Sequence, residues 1–149
     1  MRPSLKISPN NGAVTLGPDL VLVQGMDRAR IEPLVSAFYK SATDMGNGYR
    51  WLMCHEAEFG GEACGFALCF LSDKLVAVHL GVSLAGIELV DGWPTKQAID
   101  QEVSFTRCEM QRQLGRTFAS GQEKFKWGVA WSQFDPKGFQ ASAGVRYEV

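Results

Sequence analysis

A thiol and an imidazole adjoin at Cys54-His55, and two carboxylates, Glu56 and Glu58, follow within a few residues. Nowhere else in the chain do nucleophile, base and acid types crowd together. A thiolate beside an imidazole can begin a cysteine nucleophile, and paired carboxylates can do acid–base work. The spacing argues against both. Carboxylates two apart are a common surface arrangement, and no second spaced pair of soft ligands supports Cys54-His55 as a metal or nucleophile site. The four cysteines, at 54, 64, 69 and 108, include no C-x-x-C, and there is no H-x-x-x-H, so zinc ligation is not indicated. A phosphate loop of the form G-x-x-x-x-G-K-[ST], a strand-linked G-x-G-x-x-G and a G-x-S-x-G elbow are likewise missing. No catalytic residue, metal or cofactor is expected, and the chain reads as a non-enzyme.

Binding chemistry is the alternative, and four tryptophans could supply it. Trp127 and Trp131 share strand parity, which predicts core packing for both. Trp51 and Trp93 fall at loop edges and are the better candidates for a binding surface. The loops around 49–62 and 86–95 hold Trp51, Glu56, Glu58, Phe59, Asp91 and Trp93. Aromatic anchors among acids are the mix expected of a partner-binding surface that faces a basic protein. His79 lies mid-strand with no partner nearby in sequence and reads as a tolerated or exposed side chain. Arg107, Arg112 and Arg116 could form a phosphate-binding face, but a solvated helix surface is the simpler reading.

The totals frame these candidates. A chain of 149 residues with 46% hydrophobic and 21% charged residues is ordinary for one globular domain. The net charge of -1 leaves no basic footprint for nucleic acid. Residues 51–102 are net -6, between segments of +2 and +3, and such a block either steers a basic partner or balances across the fold. No run approaches the ~20 apolar residues of a membrane span. The N-terminal MRPSLKISPNNG has no apolar signal region, and free thiols suit a reducing compartment, so a cytoplasmic location is expected.

The elements that must position these residues follow from periodicity. Residues 1–12 are expected to be a loose arm. AVTLGPDLVLV reads as two extended pieces around Gly17-Pro18-Asp19. Asp27 opens a short helical turn, Pro33 interrupts it, and a second helical piece is expected over about 33–41, with Ile31, Leu34, Val35 and Phe38 on one face. TDMGNGYRW reads as a loop. The central hairpin spans about 63–83: Cys64, Phe66, Leu68 and Phe70 alternate, Ser72-Asp73-Lys74 turns, and Val76, Val78, Leu80 and Val82 alternate on the return. The longest helix covers about 95–115, entered at Pro94 or Thr95 and closed at Gly115. Its stripe is Ile99, Val103, Thr106, Met110 and Leu114. A last hairpin spans about 124–147, with Phe125, Trp127, Val129 and Trp131 alternating on one strand. Together these predict a single α+β domain over 1–149, an antiparallel sheet with the long helix on one face and a short helix near the N-terminus.

At LGPDLVLVQGM and at KWGVAWSQFDPKGFQASAGVRY the chain resembles small bacterial immunity-like proteins encoded beside interbacterial toxins. The resemblance covers roughly 14–147 and rests on structural residues. It implies a single-domain cytoplasmic protein that binds another protein, most sharply an immunity protein covering a basic toxin or effector, and it transfers no catalytic residue. Two other readings compete: a small dimeric chaperone or adaptor for a secreted effector, and an enzyme using Cys54 or His55.

Overall fold

The computed structural model describes residues 2–87 and 89–148. In chain order, β1 (Leu5–Ile7), β2 (Val14–Leu16) and β3 (Leu20–Leu22) make a small antiparallel sheet. Helix α1 (Arg28–Leu34) is followed by β4 (Tyr39–Asp44), β5 (Tyr49–Phe59), β6 (Glu62–Leu71) and β7 (Lys74–Ser83). A two-stranded hairpin, β8 (Leu89–Val90) and β9 (Trp93–Pro94), leads into helix α2 (Lys96–Leu114). Strands β10 (Gln122–Phe125), β11 (Gly128–Asp135) and β12 (Gln140–Tyr147) come after it. Seven strands form one antiparallel sheet in the order β10-β11-β12-β7-β6-β5-β4. The architecture is α+β, as the periodicity predicts.

Two expected elements form for the reasons their residues suggest. In the β6–β7 hairpin Leu71 pairs with Lys74, and Ser72 and Asp73 take φ of 49° and 65°, the two left-handed residues of a tight twisted turn. Helix α2 starts where the Thr95 side chain accepts from the Ala98 N–H at 3.1 Å. It stops where Gly115 turns left-handed, φ 70°. Its stripe of Ile99, Val103, Thr106, Met110 and Leu114 is buried against β11 and β12. A polar contact fixes its position: the hydroxyls of Thr106 and Ser132 lie 2.6 Å apart, and Ser132 donates to the Val103 carbonyl at 3.0 Å. Both hydroxyls are buried and satisfied, so the pair favours one placement of the helix over others.

Several expectations are corrected. Residues 2–12 are not a loose arm: β1 pairs with β2, and Leu5 and Ile7 enter the core. Ahead of β1, Glu58 N–H donates to Pro3 O at 2.9 Å, so the N-terminal segment covers the part of the β5 edge that β4 does not pair. No helical piece spans 33–41. Pro33 cannot donate to the ladder, helix α1 ends one residue later, and Tyr39–Asp44 pairs with β5 as an edge strand. Phe38 instead meets Phe66, ring centroids 6.2 Å apart.

The segment 49–62 is not a loop but mostly the strand β5. Its buried residues are Leu52, Cys54, Ala57 and Phe59, a parity that breaks in the middle. A bulge between Cys54 and Ala57 causes the break, with Glu56 at φ 70°. A second register shift, between Cys69 and Phe70, removes Val76 from the Val78, Leu80 and Val82 face. Val76 packs with Cys69 and Ala77 on the opposite side, and Leu75 takes its place in the main core.

The run 125–131 is not one strand. Phe125 pairs with Gly128 across a tight turn at Lys126-Trp127, so the parity argument linking Trp127 to Trp131 fails. Trp127 stacks on Phe125 in the core, centroids 4.9 Å apart and planes 12° apart, and its indole N–H donates to Pro9 O at 3.0 Å. Trp131 points to the other face of the sheet.

Candidate partner-binding surfaces

The crowded chemistry around Cys54 is dispersed by the strand that carries it. Cys54 faces the core, and burial pushes its thiol pKa up to about 11. His55 and Glu56 sit exposed in the bulge on the far side. Nucleophilic use of Cys54 would need a thiolate that its surroundings disfavour. Cys64, raised to about 12 by burial, is a core residue of the same kind. Among the described residues no group of three or more His, Cys, Asp or Glu side chains could hold a metal ion.

The sequence-selected binding residues separate into three places. Phe59 is 0% exposed and belongs to the core, which removes it as a surface anchor. Parity explains it: the bulge that frees His55 and Glu56 turns Ala57 and Phe59 inward. Trp51 is half-buried on the sheet face opposite α2, edge-on to the His79 ring with centroids 4.9 Å apart. Glu56 is exposed, 3.8 Å from the Arg2 guanidinium, and Glu58 flanks it on the N-terminal side of Phe59.

Asp91 lies in the turn and Trp93 on the return strand of the β8–β9 hairpin, whose strands Leu89–Val90 and Trp93–Pro94 stand where a loop is expected. Asp91 and Gly92 take φ of 53° and 82°, and the turn presents Leu89, Val90 and Trp93 to solvent, Trp93 at 76% exposure. Exposed apolar residues gathered on one hairpin mark an interaction surface more clearly than scattered ones do.

Two of the acids in residues 51–102 are balanced across the fold: Asp73 binds Arg28 at 2.8 Å and Glu56 lies beside Arg2. Asp100 binds Lys96 of the same segment at 2.8 Å. The arginines of α2 are occupied as well. Arg107 donates twice to Ser132 O, at 2.8 and 3.1 Å, and Arg112 pairs with Glu109. Arg116 donates to Lys124 O at 2.9 Å and lies 4.4 Å over the Phe125 ring. A phosphate-binding face is not what these residues form.

The sheet face opposite α2 holds what the parity argument missed. His79 stands between Trp51 and Trp131, edge-on to both at 4.9 Å. Trp131 crosses Gly144 to reach it and donates its indole N–H to Ser142 Oγ at 2.8 Å. A Cβ on Gly144 would stand 3.2 Å from the Trp131 ring and 2.3 Å from Val78 O, so only glycine lets β12 carry this arrangement. Burial, with Arg146 nearby, holds the His79 pKa below its ordinary value. Beside this aromatic stripe lies a hollow of about 560 Å³.

No family model matches the chain, and no curated protein does. A solved structure does match. It is described as "Rhs1-CT in complex with cognate immunity protein RhsI1". The superposition covers 97% of this chain and 87% of that one, at 11% identity and a TM-score of 0.52. At that identity the likeness is one of fold. The resemblance to immunity-type proteins seen at the two ends of the sequence is thus met by a fold that occurs in a toxin–immunity complex. No helix among the described residues is long and apolar enough to cross a membrane.

Proposed function

We propose that this chain is a non-catalytic protein-binding protein of the immunity type, which neutralises a cognate toxin by direct occlusion. The likeness in fold, over nearly its whole length, to a chain of a toxin–immunity complex carries this reading. The burial of Cys54 away from His55 supports it, because it weakens the competing enzyme reading. The partner contact is assigned to the β8–β9 hairpin, where Trp93 and Asp91 offer an aromatic anchor and a carboxylate to a basic surface, with Trp51, Glu56 and Glu58 nearer the sheet. A cytoplasmic site of action is part of the same proposal.

The test is protection. The toxin domain encoded beside this chain is induced in a host strain with and without it. Growth restored only with the chain, together with a stoichiometric complex on size exclusion, is the expected result. A dimer that binds an unrelated secreted protein and gives no protection would favour the adaptor reading.

A further inference from the structure

Strand β4 ends the seven-stranded sheet, and all six of its residues are exposed. Its pairing decides which backbone groups face outward. Met45 N–H donates to Tyr49 O at 2.9 Å, and the same register sets Thr43 against Trp51 and Ser41 against Met53. Bonded pairs alternate along an antiparallel ladder. Ser41 and Thr43 therefore turn N–H and C=O toward β5, while Ala42 and Asp44 turn theirs away from the sheet. Among the described residues no turn, loop or side chain bonds to those outward groups.

The chain engages the neighbouring edge positions itself. Beyond β4, the edge of β5 is met by the N-terminal segment, through Glu58 N–H to Pro3 O and the Ser4–Glu58 bridge. At the far side of the sheet, Lys124 O of β10 accepts from Arg116 at 2.9 Å. The outward groups of β4 are left open, and an open edge is complementary to an extended chain.

A hollow of about 290 Å³ lies against this edge, between the end of α1 and β4. Val35, Tyr39, Ala42 and Leu52 line it with Glu32 and Ser36. Val35 and Leu52 are buried and make an apolar floor. The polar groups are engaged: Glu32 pairs with Arg28, and Ser36 Oγ donates to Pro33 O at 3.1 Å. A segment added to β4 turns every second side chain toward the hollow's face. The flanking charges, Lys40 and the Asp44–Arg50 pair at 3.2 Å, set no sign for that segment. A second copy of the chain fits less well. In a two-fold pair centred on Ala42, the side chain set beside each Ala42 is another methyl, which leaves the hollow empty.

We propose that the open edge of β4 takes up an extended segment of a partner protein by strand addition, with a bulky apolar side chain of that segment seated over Val35 and Leu52. The edge is argued from its own chemistry. That the partner is the toxin rests on the immunity reading.

Two probes test it. One is the toxin domain encoded beside this chain. The other is a displayed library of ten-residue peptides with alternating apolar and polar residues, sorted against the purified chain. Amide exchange is read residue by residue by NMR. On binding, the Ala42 and Asp44 amides should exchange at least about tenfold more slowly. Ala42→Pro removes only an outward N–H, where an edge strand accepts proline, and should weaken binding at least about tenfold. Ala42→Ser keeps the N–H and should bind like wild type. Melting of Ala42→Pro is measured first, and if it has unfolded the exchange readout on the wild-type chain decides.

A bound toxin that leaves both amides unchanged overturns the proposal and spares the immunity reading. Equal binding by Ala42→Pro overturns it too. So does slowed exchange of the two amides in a concentration-dependent dimer with no partner added, since that gives the edge to a second copy. If no toxin binds, the immunity reading fails and the peptides decide. Enriched peptides that protect Ala42 and Asp44 keep the edge site, and the lack of any enriched peptide removes it.

Discussion

His79 shows how a single residue's setting converts into a measurement. It is held between two indoles, with its pKa depressed from 6.5 by burial first and by Arg146 second. The unfolded chain therefore binds the extra proton more readily than the folded one. Stability from this residue is full above about pH 6.5 and is lost as pH falls through the lowered folded value. Glu102, raised by burial, acts in the opposite sense at lower pH. The difference between wild type and His79→Gln isolates the histidine. The fall in melting temperature from pH 7.5 to 5.5 should be smaller in the variant, and equal pH slopes would contradict the assignment. The cysteines give a second residue-scale expectation. Cys108 is exposed while Cys54, Cys64 and Cys69 are buried. Maleimide at neutral pH should add one label per native chain, at Cys108, and four after denaturation. Fast native labelling at Cys54 would reopen the nucleophile question. Trp127→Ala should cost about 3–5 kcal/mol in denaturant unfolding, since the indole is stacked, buried and hydrogen bonded to Pro9. Near-wild-type stability would place Trp127 outside the core.

Among the elements, α2 is defined by its ends and its stripe, so its cap is separable from its packing. Thr95→Ala removes the acceptor for Ala98 N–H and should lower stability by about 1 kcal/mol without altering the sheet. Unfolding free energy with near-UV circular dichroism checks both halves of that statement. The bulge in β5 works differently. It does not end the strand but rotates it, turning Ala57 and Phe59 inward while His55 and Glu56 turn out. One extra residue thus defines both the core at this end of the sheet and the rim of the hollow.

Across the whole molecule, charge is sorted rather than segregated. Two acids of the acidic middle, Glu56 and Asp73, meet Arg2 and Arg28 from outside it, and Asp100 meets Lys96 within it. Asp91 and Trp93 stay exposed together on one hairpin, while the hollow on the sheet face is lined by charges of both signs, Arg2 and Lys40 with Glu56. If the hairpin faces a basic partner, Asp91→Lys with Trp93→Ser should leave the melting temperature nearly unchanged, because Trp93 is 76% exposed and exposed charges contribute little to stability. The same pair should weaken toxin binding at least about tenfold, read by calorimetry. Glu56→Lys with Glu58→Lys should slow association more modestly, since Glu56 is already engaged by Arg2. Unchanged affinity in the hairpin variant would move the contact to the sheet face.

The sequence by itself determined the features that are local. The tight turn at Ser72-Asp73, the Thr95 and Gly115 boundaries of α2, its buried stripe, and the alternation of Cys64 to Phe70 each depend on residues within one or two turns of chain. Tertiary structure decided what depends on pairing. Whether Phe59 points in or out, whether Val76 joins Val78, and whether Trp127 and Trp131 share a face all turn on where a bulge or a tight turn falls. A one-residue slip reverses every side chain beyond it. That slip is set by the partner strand, far away in sequence. The loop-like reading of 49–62 failed for this reason, and so the aromatic stripe of Trp51, His79 and Trp131 became visible only once β12 had been placed beside β7.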